Sequence, residues 1–290
     1  MVGWGSLSAR LRWIVGALLA AGVLGATVAQ ADGTLDRIKD SGEIRLAYRA
    51  DASPFSYELD GKPTGYSVNL CLEVAKGLKE DLNLPKLTAS FVKVTADNRF
   101  DAITQGEADL LCEATTATLA RREKMDFSIY TFVSGASLVI RPGGPTSVDT
   151  LGGQKIGVLG GTTTQQALDQ TLREGGITAE VLVVKTHDEG FERLEKGDIT
   201  AYFGDRTILE DRLRRIPSET ELLLADNYLT IEPYALAMPI DHAFRLAVDR
   251  SLSHLFRTGG LIKVFRQSFD PKAKPSDLIK MLSRVSGLPD

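Results

Sequence analysis

The sequence predicts an α/β protein of two similar lobes, each a mostly parallel sheet flanked by helices, joined by a two-segment hinge. Three observations carry this. Strand-like and helix-like patterns alternate along the chain, one β/α unit recurs, and the last helices have no sheet of their own to pack on. At 290 residues, 43% apolar and 25% charged, the chain is long enough to build two modest cores.

The N-terminal segment stands apart from this plan. Arg10 and Arg12 precede an apolar run over 13–28, and Ala29-Gln30-Ala31 puts small residues where a signal peptidase needs them. The run falls short of the ~20 residues that span a bilayer, so 1–31 reads as a signal peptide cleaved after Ala31 and the mature protein as periplasmic. No Cys follows the cleavage site, which argues against a lipid anchor. Cleavage removes two arginines and no acid, leaving the chain more acidic than its formal −4. That balance disfavours nucleic acid and anionic membrane surfaces as partners. Cys71 and Cys112, in a chain expected to reach an oxidising compartment, suit one disulfide, with two buried thiols as the alternative.

The first lobe is assigned to 32–137 together with 234–290, and the second to 138–233. In the first, a short helix over 35–39 turns through Ser41-Gly42 into an alternating strand over 44–48. Val68, Leu70, Cys71, Val74, Ala75 and Leu78 recur at helical spacing, giving an amphipathic helix over 67–78, and a strand follows over 89–94. The recurring unit starts at Phe100 and again at Phe191. Each copy is a short helix, a stop at Gly106 or Gly197, and a strand ending at an acid, Glu113 or Asp205. Helices over 244–256 and 261–269, separated by Gly259-Gly260, close the chain. If they return to the first lobe, the chain crosses between lobes twice, near Ser137 and near Pro233.

Candidate ligand contacts sit at strand ends, where open α/β sheets bind their ligands. After the strand ending at Cys112, Thr116 offers a hydroxyl and Arg121 a planar fork that suits a carboxylate. Thr118 as a helix cap with Arg121 in solvent is the plainer reading. After the strand over 156–159, Gly160-Gly161-Thr162-Thr163 opens a helix whose N–H groups favour an anion, with simple capping by Thr as the alternative. A Walker lysine is missing, so nucleotide binding is disfavoured. Asp205 suits an ammonium group, or an Asx turn. His187, His242 and His254 show no metal spacing, no nucleophile elbow is present, and no cofactor is implied.

Gly65-Tyr66-Ser67-Val68-Asn69-Leu70, the run from Leu110 to Arg121, and Met125-Asp126-Phe127-Ser128 resemble the amino-acid-binding periplasmic proteins of ABC transporters. The resemblance covers the mature chain and implies the type II periplasmic binding-protein fold. Within that family, Arg49 before Pro54-Phe55-Ser56-Tyr57, Asn98-Arg99, Gly161-Thr162-Thr163, and His187 with Asp205 are most similar to glutamate/aspartate-binding proteins. That resemblance implies a ligand α-carboxylate on Thr116, Arg121 and Thr163, with Ala114 and Thr162 as secondary positions. It implies the ammonium on Asp205, and an acidic side chain facing Arg49, Arg99 and His187. Three potential cations there would favour an acid over an amide. The pattern departs at Ala96 and Ala114, where those relatives offer serines, and at Glu113, which replaces a small residue. The implied role is capture of an amino acid, expected to be glutamate or aspartate, for a membrane permease. The alternatives are a cyclohexadienyl dehydratase-like enzyme using Glu113, and a binding subunit for a sensor.

Overall fold

The structure is a computed structural model and describes residues 33–217 and 221–289; the signal peptide read over 1–31 lies outside them. The chain enters through the helix Thr34–Ser41, which ends on Gly42 in the left-handed region with its N–H donating to the carbonyl of Ile38. Glu43–Arg49 then enters the first sheet, second from its edge. Thr88–Val94 and Leu110–Leu111 flank it in parallel, Ala237–Met238 runs antiparallel beyond Leu110–Leu111, and Asp126–Phe127 closes the edge.

The second sheet repeats this arrangement. Lys155–Leu159 lies between Glu180–Val184 and Ala201–Asp205, both parallel to it, followed by the antiparallel Ala136–Ile140 and an edge strand, Leu223–Leu224. One strand in each sheet is reversed, so each sheet is mostly parallel. The reversed strands are those entered just after the crossings. Phe132–Ser134 and Glu232–Tyr234 pair antiparallel as a two-stranded ribbon, and Ala136–Ile140 and Ala237–Met238 follow them. The chain therefore has two lobes joined by a two-segment hinge.

The recurring β/α unit is a repeat of backbone geometry. The helix Arg99–Thr104 is followed by Gly106 at φ 71°, and His187–Lys196 by Gly197 at φ 79°. A side chain would be strained in that region, which is why both stops are glycine. The helix Tyr66–Asp81 buries Tyr66, Val68, Leu70, Cys71, Val74 and Leu78, and packs against His242–Arg257 and Gly260–Ser268. The C-terminal helices thus cover the first sheet.

Several elements escaped the periodicity, the helix Arg206–Leu213 and the edge strand Leu223–Leu224 among them. Asp51–Ala52, Ser56–Leu59 and Lys62–Thr64 make a small antiparallel sheet around the Asp60-Gly61 turn, from strands too short to show alternation. A tenth helix, Asp277–Val285, ends the described chain.

The hinge ribbon is anchored in the first lobe's core. Phe132 stacks on Phe269 at 5.6 Å and on Tyr234 at 6.1 Å, while Phe55 meets Phe132 edge-on at 4.9 Å. Tyr66 sits edge-on to Phe55, Phe132 and Phe269 and donates its hydroxyl to the carbonyl of Thr131 at 2.7 Å. Such pairs add about 0.5–1.5 kcal/mol each beyond the area they bury.

Cys71 and Cys112 form a disulfide with Cα atoms 6.0 Å apart, tying the helix Tyr66–Asp81 to the end of Leu110–Leu111. Closing a 41-residue separation restricts the unfolded chain and contributes about 4 kcal/mol in the chain-entropy picture. Replacing both cysteines by alanine is expected to lower the unfolding free energy in urea by about 2–4 kcal/mol. An unchanged denaturation midpoint would contradict a stabilising bridge here.

Candidate functional site

The C-terminal ends of the parallel strands of both sheets converge on one group of polar side chains. Arg49 is the last residue of its strand, Glu113 and Thr116 follow Leu110–Leu111, and Gly161 to Thr163 follow Lys155–Leu159. His187 begins the helix after Glu180–Val184, and Asp205 ends Ala201–Asp205. The lobes meet across this group. Thr116 Oγ1 and Thr163 Oγ1 are 3.4 Å apart, and the Gly161 carbonyl accepts from Arg99 Nη2 at 2.9 Å. Gly161, at φ 67°, brings its backbone against Ala96 and Arg99 of the other lobe.

Both arginines expected to face a ligand side chain are buried and already paired. Arg49 donates through Nε and Nη2 to the Asp51 carboxylate at 3.0 and 2.9 Å, and through Nη1 to Glu113 Oε2 at 3.4 Å. Arg99 donates Nη1 to the Ala96 carbonyl and Nη2 to Gly161, while its Nε lies 3.0 Å from Glu113 Oε1 without hydrogen-bond alignment. Thr115 donates its hydroxyl to the same Glu113 oxygen at 2.6 Å. Burial opposes the Arg49 cation, but Glu113 and Asp51 outweigh it and raise its pKa. Arg99 is held down to about 10, by burial first, with Glu113 pulling the other way.

His187 departs from the expectation of a third cation. Burial, then the Arg49 charge, lowers its pKa to about 3, so the ring is neutral across the physiological range. Its backbone N–H donates to Asp51 at 3.2 Å, and Nδ1 lies 3.0 Å from the Tyr202 hydroxyl. Tyr202 has room because residue 190 is glycine: a Cβ there would come within 2.2 Å of the ring.

The threonines expected to hold a carboxylate do hold one, that of Glu232. Thr163 and Thr230 donate to it at 2.7 and 2.8 Å, and Thr116 donates at still closer range. Glu232 reaches this place because the loop Thr115 to Ala117 is zipped to the hinge strand, Ala117 N–H to the Pro233 carbonyl and Ala235 N–H to that of Thr115.

Arg121 lies in the short helix Leu119–Arg122, whose N-cap, Thr118, accepts from the Arg121 N–H. Its guanidinium lies over the Phe100 ring at 4.6 Å and donates Nη1 to the Thr116 carbonyl at 2.8 Å. Burial lowers its pKa, while Glu113, Glu232 and Asp205 raise it. Asp205 occupies the N-cap position of Arg206–Leu213, yet its side chain makes no cap hydrogen bond. Burial first, then the Glu232 charge, pushes its pKa up to about 7, with the Tyr234 hydroxyl acting in the opposite sense. Arg121 and Asp205 thus lie within each other's field, one from each lobe.

Of the secondary positions, Thr162 is committed to capping its helix, accepting from Gln165 N–H and donating to the Leu159 carbonyl. Ala114 is half-buried against the first core. Sequence reasoning missed Asp51, Tyr202, Glu232 and Tyr234. Asp51 was discoverable from its place two residues beyond Arg49, and Glu232 from its place beside the expected crossing at Pro233. Among the described residues no helix is long and apolar enough to cross a membrane, and no group of His, Cys, Asp and Glu could hold a metal ion.

Comparison with known proteins agrees with this architecture. Residues 44–271 match the bacterial extracellular solute-binding proteins, family 3. An L-glutamate/L-aspartate-binding protein of Pseudomonas aeruginosa is 29% identical over 269 residues, covering 91% of this chain and 88% of that one. A glutamate/aspartate import solute-binding protein of Escherichia coli is 27% identical over 265 residues, covering 88% of each. The crystal structure of an ancestral amino acid-binding protein, a precursor of cyclohexadienyl dehydratase, superposes with a TM-score of 0.71 at 24% identity. It covers 82% of this chain and all of that one. The chain belongs to family 3 of the bacterial extracellular solute-binding proteins and has the two-lobed type II periplasmic binding-protein fold.

Proposed function

We propose that this protein captures an amino acid between its lobes in the periplasm, after removal of residues 1–31, and presents it to the permease of an ABC importer. The observation that carries this is that strand ends of both lobes bring Arg121 and Asp205, groups of opposite charge, to one buried polar cluster, where the Asp205 charge acts on Arg121. An α-amino acid is a zwitterion that such a pair grips at both ends. The α-carboxylate takes Arg121 and the hydroxyls of Thr116 and Thr163, Glu232 giving way. The ammonium takes Asp205. Because these contacts come from both lobes, binding favours the closed arrangement. The moving bodies are 32–137 with 234–290 and 138–233, turning about the hinge ribbon. A micromolar ligand needs about 8 kcal/mol, and charge-assisted hydrogen bonds contribute about 1.5–3 kcal/mol each, so four or five such contacts suffice after the costs of association.

For the ligand side chain, the names of the relatives support the glutamate and aspartate type. Arg49, Arg99 and His187 line that end of the site, but the third is neutral and the first two are ion-paired. The reading therefore takes in polar side chains of this length, the acids together with their amides. The dehydratase alternative rests on a structural likeness alone, and turnover of prephenate abolished in Glu113→Gln would favour it.

Titration calorimetry against a panel of the common amino acids tests the proposal. Arg121→Ala and Asp205→Asn are each expected to weaken every ligand about tenfold to a hundredfold. Heat from no amino acid in the native protein, or unaltered affinities in both variants, would contradict it.

The ammonium requires Asp205 as carboxylate. With its pKa near 7 before ligand arrives, affinity is expected to rise about tenfold per pH unit from pH 5 toward 7 and to level above, a slope lost in Asp205→Asn. A flat native profile would count against the assignment. The effect on folding has the opposite sign: a pKa raised from 3.8 favours the folded state at low pH, and that contribution is lost as pH rises through about 7. His187, lowered from 6.5, contributes stability above 6.5 that disappears as pH falls toward about 3.

A further inference from the structure

Glu113 stands between the two arginines that line the ligand side-chain end of the site. It lies 3.4 Å from Arg49 Nη1 and 3.0 Å from Arg99 Nε, and its side chain is almost wholly buried. Each of the other guanidinium nitrogens already donates once to the protein: Arg49 Nε and Nη2 to Asp51, Arg99 Nη1 and Nη2 to the carbonyls of Ala96 and Gly161. The two nitrogens nearest Glu113, Arg49 Nη1 and Arg99 Nε, are ones a ligand carboxylate would contest with it. Asp51 and Glu113 together cancel the two positive charges, and His187 adds none.

We infer that Glu113 is the selectivity residue of the amino-acid site proposed above, a built-in carboxylate that neutralises the side-chain subsite so that amides are accepted alongside acids. The inference rests on that reading of the site. A ligand carboxylate arriving here meets no net positive charge and must compete with Glu113 for Arg49 Nη1 and Arg99 Nε. An amide meets the same dipoles without the repulsion between carboxylates. Removing Glu113 frees both donors and leaves one positive charge uncompensated, converting the subsite into one that discriminates by charge.

Calorimetry with glutamate and glutamine on the native protein, Glu113→Ala and Glu113→Gln tests this. The native dissociation constants are expected to lie within tenfold of each other, and the preference for glutamate is expected to rise ten- to a hundredfold in both variants. Glu113→Gln keeps the side-chain volume and serves where Glu113→Ala does not fold. A native preference above tenfold for either ligand, or the same preference in native protein and variant, would overturn the assignment. Native protein that binds other amino acids but neither of these would overturn it while leaving the amino-acid reading intact. Native protein that binds none would overturn both.

Discussion

Arg49 and Arg99 lie almost wholly buried where the two sheets face each other, and a buried cation persists only among groups that compensate it. Asp51 and Glu113 supply the opposite charges, and the carbonyls of Ala96 and Gly161 accept from Arg99. One of those carbonyls comes from the second lobe, so part of the compensation forms only where the lobes meet. The same requirement explains Gly161, whose backbone must approach Arg99 closely at a positive φ. It also explains why His187, adjacent to this cluster, stays neutral: another charge there would face Arg49 in a site already stripped of water.

The hinge gives this charge network its geometry. Glu232 belongs to the ribbon strand Glu232–Tyr234 and places its carboxylate on hydroxyls of both lobes, Thr116 and Thr163. Phe132 and Tyr234 fix that ribbon among Phe55, Tyr66 and Phe269 of the first core. The lobes are therefore joined both by apolar, rigid packing at the hinge and by polar, exchangeable contacts across the cleft. A ligand carboxylate can take over the hydroxyls that Glu232 holds, but it has no means of replacing the aromatic packing. That division suits the closing and reopening proposed for ligand capture.

Much of this was legible in the sequence because it depends on local pattern. Val68, Leu70, Cys71, Val74 and Leu78 recur as a helix that buries one face must, and Gly106 and Gly197 mark stops that need a left-handed residue. Thr116, Arg121, Thr163 and Asp205 stood out because strand ends in an open sheet point at a common crevice. Partnerships across the fold carried no such signal. Asp51 pairs with Arg49 and receives the His187 N–H from 136 residues away, and Glu232 meets Thr116 across 116 residues. Neither spacing resembles a motif. The sequence counted three cations at the side-chain subsite, whereas their compensation is a property of the assembled cleft.

The central claim is that a zwitterion is gripped at both ends, its carboxylate on the first lobe and its ammonium on the second. A crystal structure of the protein with glutamate or glutamine tests it most directly. The ligand carboxylate should lie on the Arg121 guanidinium and the Thr116 and Thr163 hydroxyls, with Glu232 displaced from them and the ammonium on Asp205. An amino acid seated with those two groups elsewhere, or with Glu232 still holding both hydroxyls, would contradict the claim.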